Sequence, residues 1–148
     1  MESVPKLSTP EEELAYLREQ VTRKEAELAG GGVDERVRII SEQIHEHAAA
    51  PTEVLAPEYR MSETATSGTA DKILAELNLG GSEQAIKSLQ QTMEEKGIKN
   101  ALGVLEKLHD PHVADDFHRY LVRYVAAGLM APGYDEKAPR FQALKMTR

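Results

Sequence analysis

Glycine and proline cut this chain into short pieces, and within each piece the apolar residues recur three or four positions apart. That combination constrains the fold more than any other feature. The stretch from Lys96 onward shows it best. Gly97 ends one helix, and Ile98, Ala101, Leu102, Leu105 and Leu108 line one face of the next. Asp110-Pro111 then supplies an N-cap and a first-turn proline. A further helix turns Val113, Phe117, Leu121, Tyr124 and Val125 inward and stops near Gly128. No stretch alternates apolar and polar residues as a half-buried strand does, so the expected fold class is all-α.

The same reading extends towards the N-terminus. Ser8 or Thr9 caps a first helix, Pro10 suits its first turn, and Glu11, Glu12 and Glu13 favour its positive end. Leu14, Leu17, Val21 and Leu28 give it a seven-residue rhythm, with Lys24 interrupting, that resembles a coiled-coil seam and marks these four as interaction residues. Gly30-Gly31-Gly32 reads as a hinge. A second helix over 33–49 repeats the spacing with Val33, Val37, Ile40 and Ile44, and Pro51 stops it.

Residues 51–69 have little periodicity and read as a linker. Beyond them Ile73, Leu74 and Leu77 mark a short helix closed by Gly80-Gly81. Ser82 caps another, lined by Ile86, Leu89 and Met93. The expected organisation is a helical hairpin over 1–50, the linker, a compact up-and-down bundle over 70–131 and a basic tail over 132–148 carrying Lys137, Arg140, Lys145 and Arg148.

Composition narrows the functional classes. Only 5% of residues are aromatic and there is no Trp, so the core rests on aliphatic side chains, as is common in helix packing. The formal net charge of −7 opposes a dedicated nucleic-acid-binding surface and adhesion to anionic membranes. Zero cysteines exclude disulfides, thiolate zinc sites and thiol catalysis. No apolar run is long enough for a bilayer span and no signal-peptide core follows Met1, so a cytoplasmic location without membrane insertion is expected.

Three of the five histidines cluster as His109, His112 and His118, beside Asp110, Asp115 and Asp116. His112, Asp115 and His118 are the candidate metal ligands. Their spacing is poor for one ion, because six residues on a helix turn the two imidazoles about 240° apart. The simpler role is a helix start: Asp110 caps, the acids offset the dipole, and Asp115 pairs with Arg119. Glu42-x-x-His45 and Asp115-x-x-His118 share the spacing of di-iron bundles, which need two further inward carboxylates. No P-loop, no Gly-x-Ser-x-Gly elbow and no His beside a plausible nucleophile is visible, so catalysis, a cofactor or a small-molecule substrate is not expected. The helix–turn–helix look of 98–127 carries Asp115 and Asp116 where base-contacting residues would sit, against DNA reading.

Four segments carry a family resemblance: Glu13-Leu-Ala-Tyr-Leu-Arg-Glu-Gln-Val, Pro51-Thr-Glu-Val-Leu-Ala-Pro-Glu-Tyr, Glu95-Lys-Gly-Ile-Lys-Asn-Ala-Leu and Asp110-Pro-His-Val-Ala-Asp-Asp-Phe-His-Arg-Tyr-Leu-Val. Together they resemble the N-terminal region of uncharacterised bacterial proteins similar to the ATPases of type IV secretion and conjugation, with a HerA/VirB4-like motor further downstream. The resemblance covers most of the chain and implies a detached N-terminal module without the motor or its nucleotide site. The expected function is therefore a non-enzymatic interaction or assembly module that binds a protein partner or itself, in a secretion or DNA-translocation setting. The alternatives are a metal-dependent helical enzyme using the His/Asp cluster and a weak nucleic-acid binder acting through the basic tail.

Overall fold

The computed structural model describes residues 6–28 and 32–129. Their architecture is all-α: α1 (Pro10–Leu28), α2 (Val33–Ala49), α3 (Glu63–Asn78), α4 (Ser82–Lys96), α5 (Ile98–Leu108) and α6 (Pro111–Ala126). Two short 3-10 turns, Thr52–Val54 and Pro57–Tyr59, lie between α2 and α3. Gly30 and Gly31 of the expected Gly30-Gly31-Gly32 hinge, the bundle's last residues 130–131 and the basic tail lie outside the described residues, while Gly32 stands at the start of α2.

The helix ends follow local chemistry. Thr9 Oγ1 accepts from the Glu12 amide at 3.0 Å, while the Glu12 carboxylate reaches back to the Ser8 amide at 2.8 Å, a variant of the capping box. Asp110 accepts from the amides of His112 and Val113, with Pro111 in the first turn of α6 as expected. Ser82 is not a cap: it begins α4 behind Gly81, which has no side chain to offer. The segment read as a linker is built into the fold. Val54, Leu55 and Ala56 are buried, Leu7 pairs with Leu55 in an isolated parallel bridge, and Ser62 caps α3 through the Ala65 amide at 3.0 Å. Thr, Ser and Gly have modest helix propensity, and they hide the first turns of α3 from a periodicity reading.

All six helices contribute to one cluster of buried side chains, with Phe117 the largest and Leu17, Ile39, Ile40, Ile44, Ile73, Leu89, Met93 and Leu121 around it. The α1–α2 pair thus shares its core with the later helices. Leu17 and Val21, half of the coiled-coil-like seam, are buried there, and Leu14 is half-buried against it; Leu28 is 46% exposed. On α2 the buried face is Arg36, Ile39, Ile40, Gln43, Ile44 and His47, so Val33 and Val37 look outward. Arg36 takes an inward position because Glu25 of α1 meets its guanidinium at 2.6 and 2.8 Å.

A second polar contact fastens the opposite end. Glu13 is fully buried on α1. Its Oε1 accepts from Tyr59 Oη at 2.9 Å and the Ile98 amide at 3.0 Å. Its Oε2 accepts from the Lys99 amide and meets His47 Nε2, both at 2.6 Å. The two amides open α5, so α1 supplies the capping carboxylate that Gly97, the N-cap residue of α5, cannot provide. Gly97 sits at φ +95°, and a Cβ there would lie 1.8 Å from Tyr59 Oη and 2.1 Å from Glu13 Oε1. Burial raises the Tyr59 phenol far above its ordinary range, and the Glu13 carboxylate adds to the effect.

Two long cations close helix C-termini in a similar way. Lys99 Nζ donates to the carbonyls of His47, Ala48 and Ala50, and Arg18 donates to those of Tyr124 and Val125. Burial holds the Lys99 ammonium below its usual range, against the pull of Glu13. Asn100 joins the same region, donating to the carbonyls of Tyr59 and Lys96 and accepting from the Met61 amide.

Glu13→Ala would leave four donors without their acceptor, two of them on the buried residues His47 and Ile98, and is expected to cost about 3–5 kcal/mol. Gly97→Ala, which forces both overlaps and keeps a positive φ, is expected to cost about 3 kcal/mol or more. Urea unfolding followed by circular dichroism measures both. A loss below about 1 kcal/mol for either would show that the carboxylate does not hold the helices in this way.

Candidate functional site

Polar chemistry-bearing residues outside the Glu13 contact converge at one place, where α2 crosses α6. Ser41 and His45 lie one turn apart on α2 and face His118 on α6. Ser41 Oγ is 2.8 Å from His118 Nε2, and the His45 and His118 rings stack with centroids 5.0 Å apart. No histidine beside a hydroxyl was visible along the chain, because 77 residues separate the pair. That expectation is corrected: a Ser–His contact exists.

The His118 imidazole is held below its ordinary range first by burial and then by His45, with Asp115 pulling the other way. Its neutral form is therefore favoured, as a general base would require. Among the described residues the remaining parts of a hydrolytic site are not assembled. The Asp115 carboxylate pairs with Arg119 at 2.6 Å instead of orienting the imidazole. Ser41 stands in the middle of α2, where backbone amides are engaged in the helix and offer no oxyanion donors. The contact ties α2 to α6.

The candidate metal ligands lie in different surroundings. His112 is exposed and approaches Asp116 at 3.5 Å, whereas His118 turns inward to Ser41 and His45. The two histidines of the di-iron-like spacing, His45 and His118, do meet. Their carboxylate companions turn away: Glu42 pairs with Arg38 at 2.8 Å and Asp115 with Arg119. Among the described residues no group of three or more His, Asp or Glu side chains is placed to hold a metal ion.

Beside the histidine stack an open groove of about 890 Å³ runs between α2, α5 and α6. Ile44, Ala48, Ala49, Leu102, Leu105 and Ala114 form its apolar walls. Glu106, Asp110 and Asp115 line it with negative charge, and among the described residues no Lys or Arg does. A smaller hollow of about 520 Å³ continues it past Ala48, Leu102, Glu106 and His109. The sequence pattern puts Leu102 and Leu105 on the core face of α5 and His109, Asp110, Asp115 and His118 in the His/Asp cluster, without joining them into one groove. Among the described residues no helix is long and apolar enough to cross a membrane.

Comparisons with protein-family models, with curated proteins and with solved structures gave no match.

Two measurements test the Ser41–His118 contact. An unfolded histidine near 6.5 binds its proton more readily than the depressed His118 of the folded chain. Stability should therefore fall as pH drops through that range and recover above it. Thermal melting between about pH 7.5 and about pH 5.5 should show the loss, and His118→Gln should shrink it. Incubation with a fluorophosphonate is expected to leave Ser41 unmodified. Labelling of Ser41 that disappears in His118→Gln would instead reveal a working nucleophile.

Proposed function

We propose that this chain is a non-catalytic interaction and assembly module, serving as an accessory N-terminal region of a secretion or DNA-translocation ATPase. The observation that carries the reading is the use made of its polar side chains. Glu13, Arg18, Lys99, Asn100 and Asp110 all bond to helix ends, their own or those of distant helices. Among the described residues, no buried side-chain polar atom lacks a hydrogen-bond partner. Groups that would do chemistry in an enzyme here fix helices in place, while apolar surface is left outside.

Part of that surface suits self-association. Val33 and Val37, one turn apart on α2, are 65% and 44% exposed, and Leu28 closes α1 at the same end of the pair. Of the four seam residues, Leu28 is the one this fold leaves most open to a partner, since Leu17 and Val21 belong to the core. The secretion setting draws on the sequence resemblance alone.

Light scattering tests the assembly role. The chain is expected to gain mass with concentration, and Val33→Asp with Val37→Asp should return it to a monomer without changing its helical content. A strict monomer at high concentration, indifferent to these substitutions, would remove self-association from the reading.

A further inference from the structure

We infer that the groove between α2, α5 and α6 docks a basic amphipathic helix of a protein partner. This deepens the reading of the chain as an interaction module by naming the chemistry of what it binds.

The shape comes from three helices that meet imperfectly. α5 is short, at 11 residues, or about 16 Å of helix. Its inner face, Ile98, Ala101, Val104 and Leu108, is buried in the core. Its outer face presents Leu102, Leu105 and Glu106 at the spacing of adjacent helical turns, and His109, the left-handed residue that ends the helix, lines the groove beyond them. Leu102 and Leu105 are only half-buried, packed against the core on one side and open on the other.

The walls are made of small side chains. Ala48 and Ala49 on α2 and Ala114 on α6 flank the leucines. Small residues let another backbone come close, and the space of about 890 Å³ holds several apolar side chains at once. Such a trough, with anchors repeating at helical spacing, fits the helix-in-groove mode of recognition.

Charge selects the occupant. Glu106, Asp110 and Asp115 line the groove, and its other titratable residues are His45, His109 and His118. Glu106 is exposed and makes no ion pair among the described residues. The cations nearby are engaged: Arg119 with the groove's own Asp115, which leaves Glu106 as its unpaired acid among the described residues, and in the adjoining hollow Lys99 with the α2 carbonyls, Lys107 with Glu63 and Arg60 with the Leu55 carbonyl. A net charge of −7 on the whole chain adds long-range attraction of the same sign. An acidic helix would be repelled at the rim, and a cationic one with an apolar stripe satisfies both the walls and the rim.

The test titrates the full chain with three synthetic helical peptides of about fifteen residues. One pairs a leucine stripe with lysines, a second pairs the same stripe with glutamates, and a third scrambles the first. Fluorescence anisotropy reads binding. The leucine–lysine peptide alone should bind, more weakly as salt rises. Glu106→Lys should weaken it by about tenfold. Ala48→Lys with Ala114→Lys should abolish it while the melting temperature and helical content stay unchanged.

Five outcomes overturn the inference. Equal binding of the glutamate peptide would make the groove a plain apolar patch. Binding that ignores all the groove substitutions would place the site elsewhere. A concentration-dependent mass abolished by Ala48→Lys with Ala114→Lys would make the occupant a second copy. No binding to the natural chain, with binding recovered in Arg140→Glu with Lys145→Glu, would assign the groove to the chain's own basic C-terminal stretch; no binding to either would refute docking altogether. The valine substitutions that test self-association lie on a different surface, so the two readings can fail separately.

Discussion

One buried carboxylate holds the helices of this protein in register. Removing a charge from water is costly, and a glutamate with no exposed surface persists only if the interior supplies donors. Glu13 receives them from the start of α5, from Tyr59 between α2 and α3, and from His47 at the end of α2. These three sources lie in different parts of the chain. The carboxylate therefore acts as a common reference point: if any of these segments slides by one turn, a donor is lost and a charge is left uncompensated in a dry interior. Apolar packing alone discriminates less sharply between such registers, because one leucine replaces another at modest cost.

Gly97 is the other half of that arrangement. It closes α4 and opens α5 with a single positive-φ residue, and its missing Cβ leaves the room that the carboxylate and the Tyr59 hydroxyl occupy. The break between helices and the buried polar contact are thus one feature. Arg18 and Lys99 extend the same logic to the opposite polarity, placing positive charge at the carbonyl ends of α6 and α2. What remains outside is a surface with an acidic apolar trough on one side and two outward valines on another.

Much of the helical outline was legible in the sequence because it depends on neighbours. Gly97, Asp110-Pro111 and the apolar rows of α5 and α6 act locally, and the structure keeps them with small changes: Val104 and Val122 turn in while Leu102, Leu105 and Tyr124 stay half-buried. Elements shaped by distant partners were not legible. Glu13 looks like any acid in a first helical turn until residues 98 and 99 fold against it. Val33 and Val37 look like core because nothing local shows that Arg36 turns inward to meet Glu25. The candidate site was hidden for the same reason. Ser41 and His118 carry no shared motif, and α3 begins inside a stretch whose serines, threonines and glycine read as coil.

The amides that satisfy Glu13 lie 85 and 86 positions further along the chain. During synthesis the N-terminal helices emerge long before those amides exist. Until they arrive, the carboxylate has water as its main solvating partner, and the surface around it cannot dry out. The early helices are therefore expected to stay loosely assembled on the ribosome and to lock only when the start of α5 leaves the exit tunnel, so that completion of the fold is timed by translation itself.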